Sequence, residues 1–171
     1  MLFLPALFTA PAASADDPSF PEAAARFQRA VAGDKSAVDG AIEAFESLVR
    51  TEPKQPVYEA YYGAALTLRA RDAWMPWNKV KYSEEGLDRI DHALAALKPE
   101  HDKLLLRGVP AALETRLVAA NTCLKLPDGI FHRRAQGRRL VDELLKAPMF
   151  AGMPEGFRAA VQAAAAEAAK P

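Results

Sequence analysis

Apolar residues recur at helical spacing along most of this chain. Between Ala37 and Arg50 they fall at Val38, Ala41, Ile42, Phe45, Leu48 and Val49, three and four apart, which predicts an amphipathic helix. Pro53 and Pro56 end it, because proline lacks the amide hydrogen a helix interior needs. Val80, Leu87, Ile90, Leu94 and Leu97 form a second stripe, predicting a helix from about Asn78 to Leu97 that stops before Pro99. Between these two, Val57 to Asp72 reads as a helix with small residues where a neighbour comes close. An earlier helix is signalled by Ser19, Pro21 and Glu22, a capping-box start, and by Gly33 just past its end near Ala32. Ser36 with Asp39 gives the same start signal for the helix that follows.

The C-terminal half repeats this punctuation. A helical stretch from about Asp102 to Leu124 contains Gly108 and Pro110, and the proline predicts a kink or split. Pro127 and Asp128 open another helix, about Gly129 to Lys146, with Ile130, Phe131, Ala135, Leu140, Val141, Leu144 and Leu145 on its face. After a loop from Pro148 to Pro154, the Ala-rich run Glu155 to Lys170 favours helix by propensity alone. No alternating β-branched run predicts a strand. The expectation is an all-α domain of about seven helices.

With 171 residues, one domain is the natural expectation, and 50% hydrophobic residues supply a core. Lys plus Arg and Asp plus Glu number 22 each, which argues against a protein built for bulk binding to nucleic acid or anionic lipid, though local basic patches remain open. Residues 1–15 carry no charge, and Ala13-Ser14-Ala15 fits a signal-peptidase site, so residues 1–15 read as a signal peptide and 16–171 as the mature domain. That reading places the protein in a periplasm or outside the cell. The missing basic residue before the apolar run leaves an upstream start, or a cytoplasmic protein with an apolar tail, as the alternative. No segment approaches the roughly 20 apolar residues that span a bilayer, so stable membrane insertion of the mature chain is not expected. With no cysteine after the small-residue site, a lipid anchor is not expected either.

Catalytic signatures are missing from the sequence. Cys123 is the single cysteine and sits in an apolar helical stretch, which reads as a buried small side chain. His92, His101 and His132 show no metal-binding spacing. The five serines, Ser14, Ser19, Ser36, Ser47 and Ser83, include no Gly-x-Ser-x-Gly, and there is no Gly-rich phosphate loop. We therefore expect no enzyme, no metal and no cofactor. His132-Arg133-Arg134 with Arg138-Arg139 forms a basic strip, read as a solvated face rather than an anion site.

The segment RDAWMPWNKVKY stands apart. Trp74 and Trp77 flank Met75-Pro76, and Arg69, Arg71, Lys79, Lys81 and Tyr82 surround them. One reading is a partner-binding lip in which tryptophan anchors and cations steer. The other is a plug, with both indoles filling the joint between two helices, and the tendency of aromatic rings to serve cores favours it.

A repeat underlies this arrangement. Ala41, Phe45, Leu48 and Pro53 are spaced 4, 3 and 5, and Gly86, Ile90, Ala93 and Pro99 are spaced 4, 3 and 6. Tyr62-Gly63 and Leu66 lie on the helix between them. Small residues let two axes approach and a large one fills the gap, the logic of a helical hairpin. On these residues the stretch from Asp39 to Pro99 resembles a tetratricopeptide repeat. Leu104 and Gly108 hint at a third unit. The whole chain also resembles a group of exported bacterial tetratricopeptide-like proteins, through RDAWMPWNKVKY, GLDRIDHAL, LLLRGVP and LETRLVAA. The resemblance implies antiparallel hairpins stacked as a short, degenerate right-handed array. The family repeat is about 34 residues, while Ala41 and Gly86 lie 45 apart, so about eleven residues are inserted near Arg71 to Tyr82.

The function expected is non-catalytic: a groove, rimmed by the insert at residues 69–82, that binds a protein or peptide. One alternative is a small anionic ligand or lipid fragment in an apolar pocket held by Arg71, Arg107 and Arg116. Another is a structural subunit, including a homo-oligomer packed through the Ala-rich last helix. The family's grip on peptide carboxylates is not expected, because the corresponding face carries Tyr61, Ala64 and Ala65.

Overall fold

In this computed structural model the described residues are 19–170, and the signal-peptide expectation for residues 1–15 lies outside them. The longer elements are α1 (Ser19–Val31), α2 (Ser36–Thr51), α3 (Pro56–Asp72), α4 (Pro76–Ala95), α5 (Ala111–Lys125), α7 (Arg134–Lys146) and α8 (Glu155–Ala168). A short α6 (Asp128–Phe131) and a small antiparallel ladder, β1 (Leu105–Leu106) with β2 (Val109–Pro110), fill the connections. The all-α expectation holds apart from that ladder.

Three hairpins organise the helices. In α3/α4, Glu59 pairs with Arg89, Gly63 meets Gly86 and Arg69 stacks on Tyr82, so contacts rise on one helix as they fall on the other. That is an antiparallel pair. Phe20 against Phe45 and Arg26 against Gly40 show the same for α1/α2. Leu124 against Gly137 and Arg116 against Glu143 show it for α5/α7. The third hairpin therefore starts at Ala111, later than Leu104 and Gly108 suggested. α3 is the hub and packs on α1, α2, α4 and α5, while α8 closes the far end against α5 and α7.

The small residues act as expected. A Cβ at Gly63 would stand 2.5 Å from the Gly86 carbonyl oxygen, and one at Gly86 would stand 2.6 Å from the Gly63 carbonyl oxygen. Both obstacles are backbone, which cannot rotate away. The insertion is accommodated differently from a loop. α3 and α4 run 17 and 20 residues and simply continue through the added sequence, leaving only residues 73–75 between them. The extra length thus makes a longer hairpin with a tight tip.

Three local expectations are corrected. Ser36 does not cap α2; the Asp34 carboxylate accepts its N–H at 3.0 Å and its hydroxyl as well, fixing the turn from one residue earlier. Ser19 is the first described residue of α1, so the start expected there borders residues outside those described. The split expected at Pro110 is a full two-residue hairpin with Arg107 and Gly108 at φ 52° and 80°, the positive pair of a type I′ turn. The helix expected from Gly129 to Lys146 breaks at His132, which takes φ 53°. Gly33 behaves as predicted: with φ 105°, and with Asp34 N–H to Arg29 O and Gly33 N–H to Ala30 O, it closes α1 in a Schellman motif.

The core is aromatic where the first three helices meet. Phe20, Phe27, Phe45, Tyr58 and Tyr61 are all buried, and Tyr61 stacks on Phe45 with centroids 4.9 Å apart. His101 is also buried; its Nδ1 accepts the Lys98 N–H, which leaves Nε2 to donate to the Lys54 carbonyl. That histidine is a structural bolt. The glycine crossing yields a direct prediction. Gly63→Ala should destabilise the fold by about 1–3 kcal/mol, the usual cost of overpacking. Gly40→Ala, whose added Cβ meets only Arg26 at 3.8 Å, should be neutral or stabilising through helix propensity. Urea unfolding of both variants checks the difference, and equal stabilities would contradict the crossing.

Candidate functional site

The inner faces of α1, α3, α5 and α8 enclose one large trough of about 1050 Å³. On α3 its lining is Tyr61, Ala64, Leu68 and Arg71, positions three and four apart that share one face. On α5 it is Glu114, Leu117, Val118, Asn121 and Lys125, at the same spacing. Phe27 and Val31 of α1, and Phe157 and Ala160 of α8, complete the sides. Val80 at the start of α4, and Ile130 and Phe131 of α6, border it, with Val80 and Ile130 left exposed. The break at His132 is what frees Ile130 and Phe131 from the α7 face. Tyr61 to Arg71 is ten residues, so the trough runs roughly 15 Å along α3 at 1.5 Å per residue.

The two ends carry different chemistry. At one, the Tyr61 hydroxyl donates to Glu114 Oε1 at 2.5 Å and Arg107 donates to the same oxygen at 3.0 Å. Glu114 and Tyr61 are buried, while Arg107 is half exposed and lies over the Phe20 ring at 5.1 Å. Burial, reinforced by the Glu114 charge, pushes the Tyr61 phenol well above its ordinary range. At the other end, Arg71 grips Asp72 with Nε and Nη2 and donates Nη1 to the Ala30 carbonyl. That grip holds the Asp72 carboxyl below the usual carboxylate range. Lys79 donates to the Arg71 carbonyl at 3.3 Å, and Lys125 also faces the space. Four cations and one carboxylate thus line a trough in a chain of zero net charge.

The insert does not act as one unit. Arg71 and Lys79 line the trough; Arg69, Trp74, Trp77, Lys81 and Tyr82 do not. Arg69 pairs with Asp39 of α2 at 2.8 Å and, with Lys81, covers the Tyr82 ring, all on the flank facing away. Trp74 is 89% exposed and Trp77 66%, so neither indole plugs the joint between α3 and α4. Only residues 73–75 join α3 to α4, and both indoles stand in solvent outside that joint.

The arginine trio also separates. Arg107 and Arg71 reach the trough, but Arg116 turns outward to Glu143 on α7, 3.7 Å away, and to the Ala112 carbonyl. The second donor to Glu114, beside Arg107, is Tyr61 and not Arg116. In the basic strip His132, Arg138 and Arg139 are exposed as expected, but Arg133, Arg134 and Arg138 also make structural contacts. Arg134 donates to the Glu167 and Lys170 carbonyls and Arg138 to those of Ala168 and Lys170, tying down the C-terminus of α8. Arg133 makes two bonds to Asp91, joining α7 to α4. Among the described residues no three His, Cys, Asp or Glu side chains gather as a metal site. No family model, curated protein or solved structure matches the chain.

Two predictions follow from these buried groups. Tyr61→Phe keeps the ring but removes the donor to Glu114, and should cost about 1–2 kcal/mol at neutral pH. Because the Tyr61 pKa is raised on folding, its contribution is complete below the ordinary tyrosine value of about 10 and is lost as pH rises beyond it. Urea titrations from neutral to alkaline pH should therefore show the deficit of the variant narrowing above about pH 10. Cys123 is fully buried, and burial pushes its thiol up to about 11. It should resist a thiol reagent at pH about 8 in the native protein and react at once after denaturation. Rapid native labelling would contradict the burial.

Proposed function

We propose that this protein is a non-catalytic, tetratricopeptide-like scaffold, a right-handed array exported to a bacterial periplasm, that holds a polypeptide segment in its trough. One observation carries the reading: the size and shape of the space. A helix of ten residues is about 15 Å long and about 10 Å across, a cylinder of roughly 1,200 Å³, close to the 1050 Å³ enclosed. Its wall is apolar along the middle, the form in which an amphipathic segment buries one face. Arg71, Lys79, Arg107 and Lys125 favour acidic side chains on the occupant. A non-catalytic role accords with the lining. No histidine faces the space, and its one carboxylate, Glu114, is already engaged by Tyr61 and Arg107.

A second reading keeps the site but changes the occupant. Arg71 and Arg107 sit at opposite ends of an apolar wall, which also suits a long anionic amphiphile such as a lipid fragment. The volume lies at the upper limit of small-ligand pockets, about 1,000 Å³, which places the peptide first.

Ala160→Trp tests both, because Ala160 lines the trough and is half buried on α8. We expect periplasmic crosslinking of the wild type to capture a polypeptide that the tryptophan variant loses, with unfolding behaviour retained. Identical capture by both proteins would remove the trough from the interaction. Native mass spectrometry that finds a co-purifying amphiphile, displaced in the variant, would select the second reading.

A further inference from the structure

The only two tryptophans of the chain sit together at the tip of the α3/α4 hairpin, and the trough uses neither. Trp74 is 89% exposed, Trp77 is 66% exposed, and Met75 between them is 38% exposed. Each indole carries roughly 150–250 Å² of surface, so the tip holds out to water the residue types that interfaces and cores bury first. Its form is convex. Ala73 and Met75 have extended backbone, and only residues 73–75 separate two long helices. A convex pair of rings has no cleft into which a partner's side chain could insert. It suits a soft phase that closes around it.

Charge points the same way. Two carboxylates on this side are paired within the protein, Asp72 with Arg71 and Asp34 of the α1–α2 turn with Arg29, and on α4 Glu85 faces Lys81 while Glu84 is exposed. The Lys79 ammonium, two residues beyond Trp77, donates to the Arg71 carbonyl and helps to hold the Asp72 pKa down, but forms no ion pair with a carboxylate among the described residues. Indoles partition to the headgroup level of bilayers, and unpaired lysines beside them are drawn to anionic lipids. No helix among the described residues is long and apolar enough to cross a membrane, so contact of this kind is interfacial. We propose that the Trp74–Trp77 tip docks the protein on the headgroup region of a lipid bilayer, with preference for anionic lipid. The proposal does not depend on which occupant fills the trough, although Lys79 borders both surfaces.

The two indoles are also the only tryptophan fluorophores, so emission excited selectively at tryptophan, clear of the four tyrosines, reports on the tip. The full chain is mixed with vesicles of phosphatidylcholine, or of phosphatidylcholine and phosphatidylglycerol in equal parts. The expected result is a blue shift with reduced acrylamide quenching, stronger on the anionic vesicles. In co-sedimentation, Trp74→Ser and Trp77→Ser should each weaken binding by at least about tenfold, given the ring area withdrawn from water. Because both positions are exposed, melting curves should barely move. The double variant retains residues 1–18, so any binding they cause persists in it and is subtracted. Emission and quenching unchanged by either vesicle overturn the proposal, as does full binding by the double variant. A blue shift that appears with protein concentration alone, accompanied by a doubled mass in sedimentation velocity, overturns it in favour of self-association.

Discussion

The Glu114 carboxylate is the constraint on which the concave face depends. A buried carboxylate without partners costs several kcal/mol, so its position is tolerable only where donors are brought to it. Tyr61 brings one from α3 and Arg107 one from the turn ahead of α5. The same Tyr61 ring is stacked on Phe45 of α2 and meets Phe27 of α1 edge-on at 5.2 Å. One residue therefore couples the aromatic core of the first hairpin to the polar end of the third. The left-handed backbone at Arg107 belongs to this arrangement. A non-glycine residue there costs about 1–2 kcal/mol, and the turn that imposes it also aims the guanidinium over Phe20 and at Glu114.

The second determinant is length. Reciprocal contact of Gly63 and Gly86 lets α3 and α4 run side by side with their backbones nearly touching. A pair joined that closely can be extended without building new core, because each added turn packs against its partner. Residues 69–82 are therefore mostly helix, and the hairpin holds its apolar tip in solvent. Two surfaces of opposite shape result. One is a concave trough with a cationic rim, the other a convex tip with two indoles, in a chain whose charges sum to zero.

Much of this was legible in the pattern of residues. Helix existence followed from three-and-four spacing and from proline stops, and the packing role of Gly63 from its place beside Tyr62. The misses share a physical cause. A ladder of two residues per strand is too short to show alternation, although Arg-Gly between two apolar pairs is itself a turn signal. His132 adopts a left-handed backbone that its side chain does not announce. The arginines at 134 and 138 looked solvated because the carbonyls they satisfy belong to α8, thirty residues away in sequence. The exposure of Trp74 and Trp77 was obscured by a sound rule: large aromatic rings go inside where there is room. At the tip only residues 73–75 join the two helices, and both rings are left in solvent. The trough lining on α5 was hidden because nearly every face of that helix is apolar, so periodicity could not tell core from cavity.

Tip and trough are not separate devices, because the first turns of α4 supply both. Trp77 and Val80 lie three residues apart and hence one above the other on the helix surface, Trp77 in solvent and Val80 at the trough mouth. Lys79, between them, is tied to the end of α3 through the Arg71 carbonyl, and Arg71 in turn to α1 through the Ala30 carbonyl. Through these bonds the tip is tied to three of the elements that border the trough. Any coupling between an occupant of the trough and a surface at the tip must act equally in both directions, since linkage between two binding events is reciprocal. A surface that favours one setting of the first turn of α4 changes the affinity of the trough by the same factor by which a trough occupant changes the affinity of the tip.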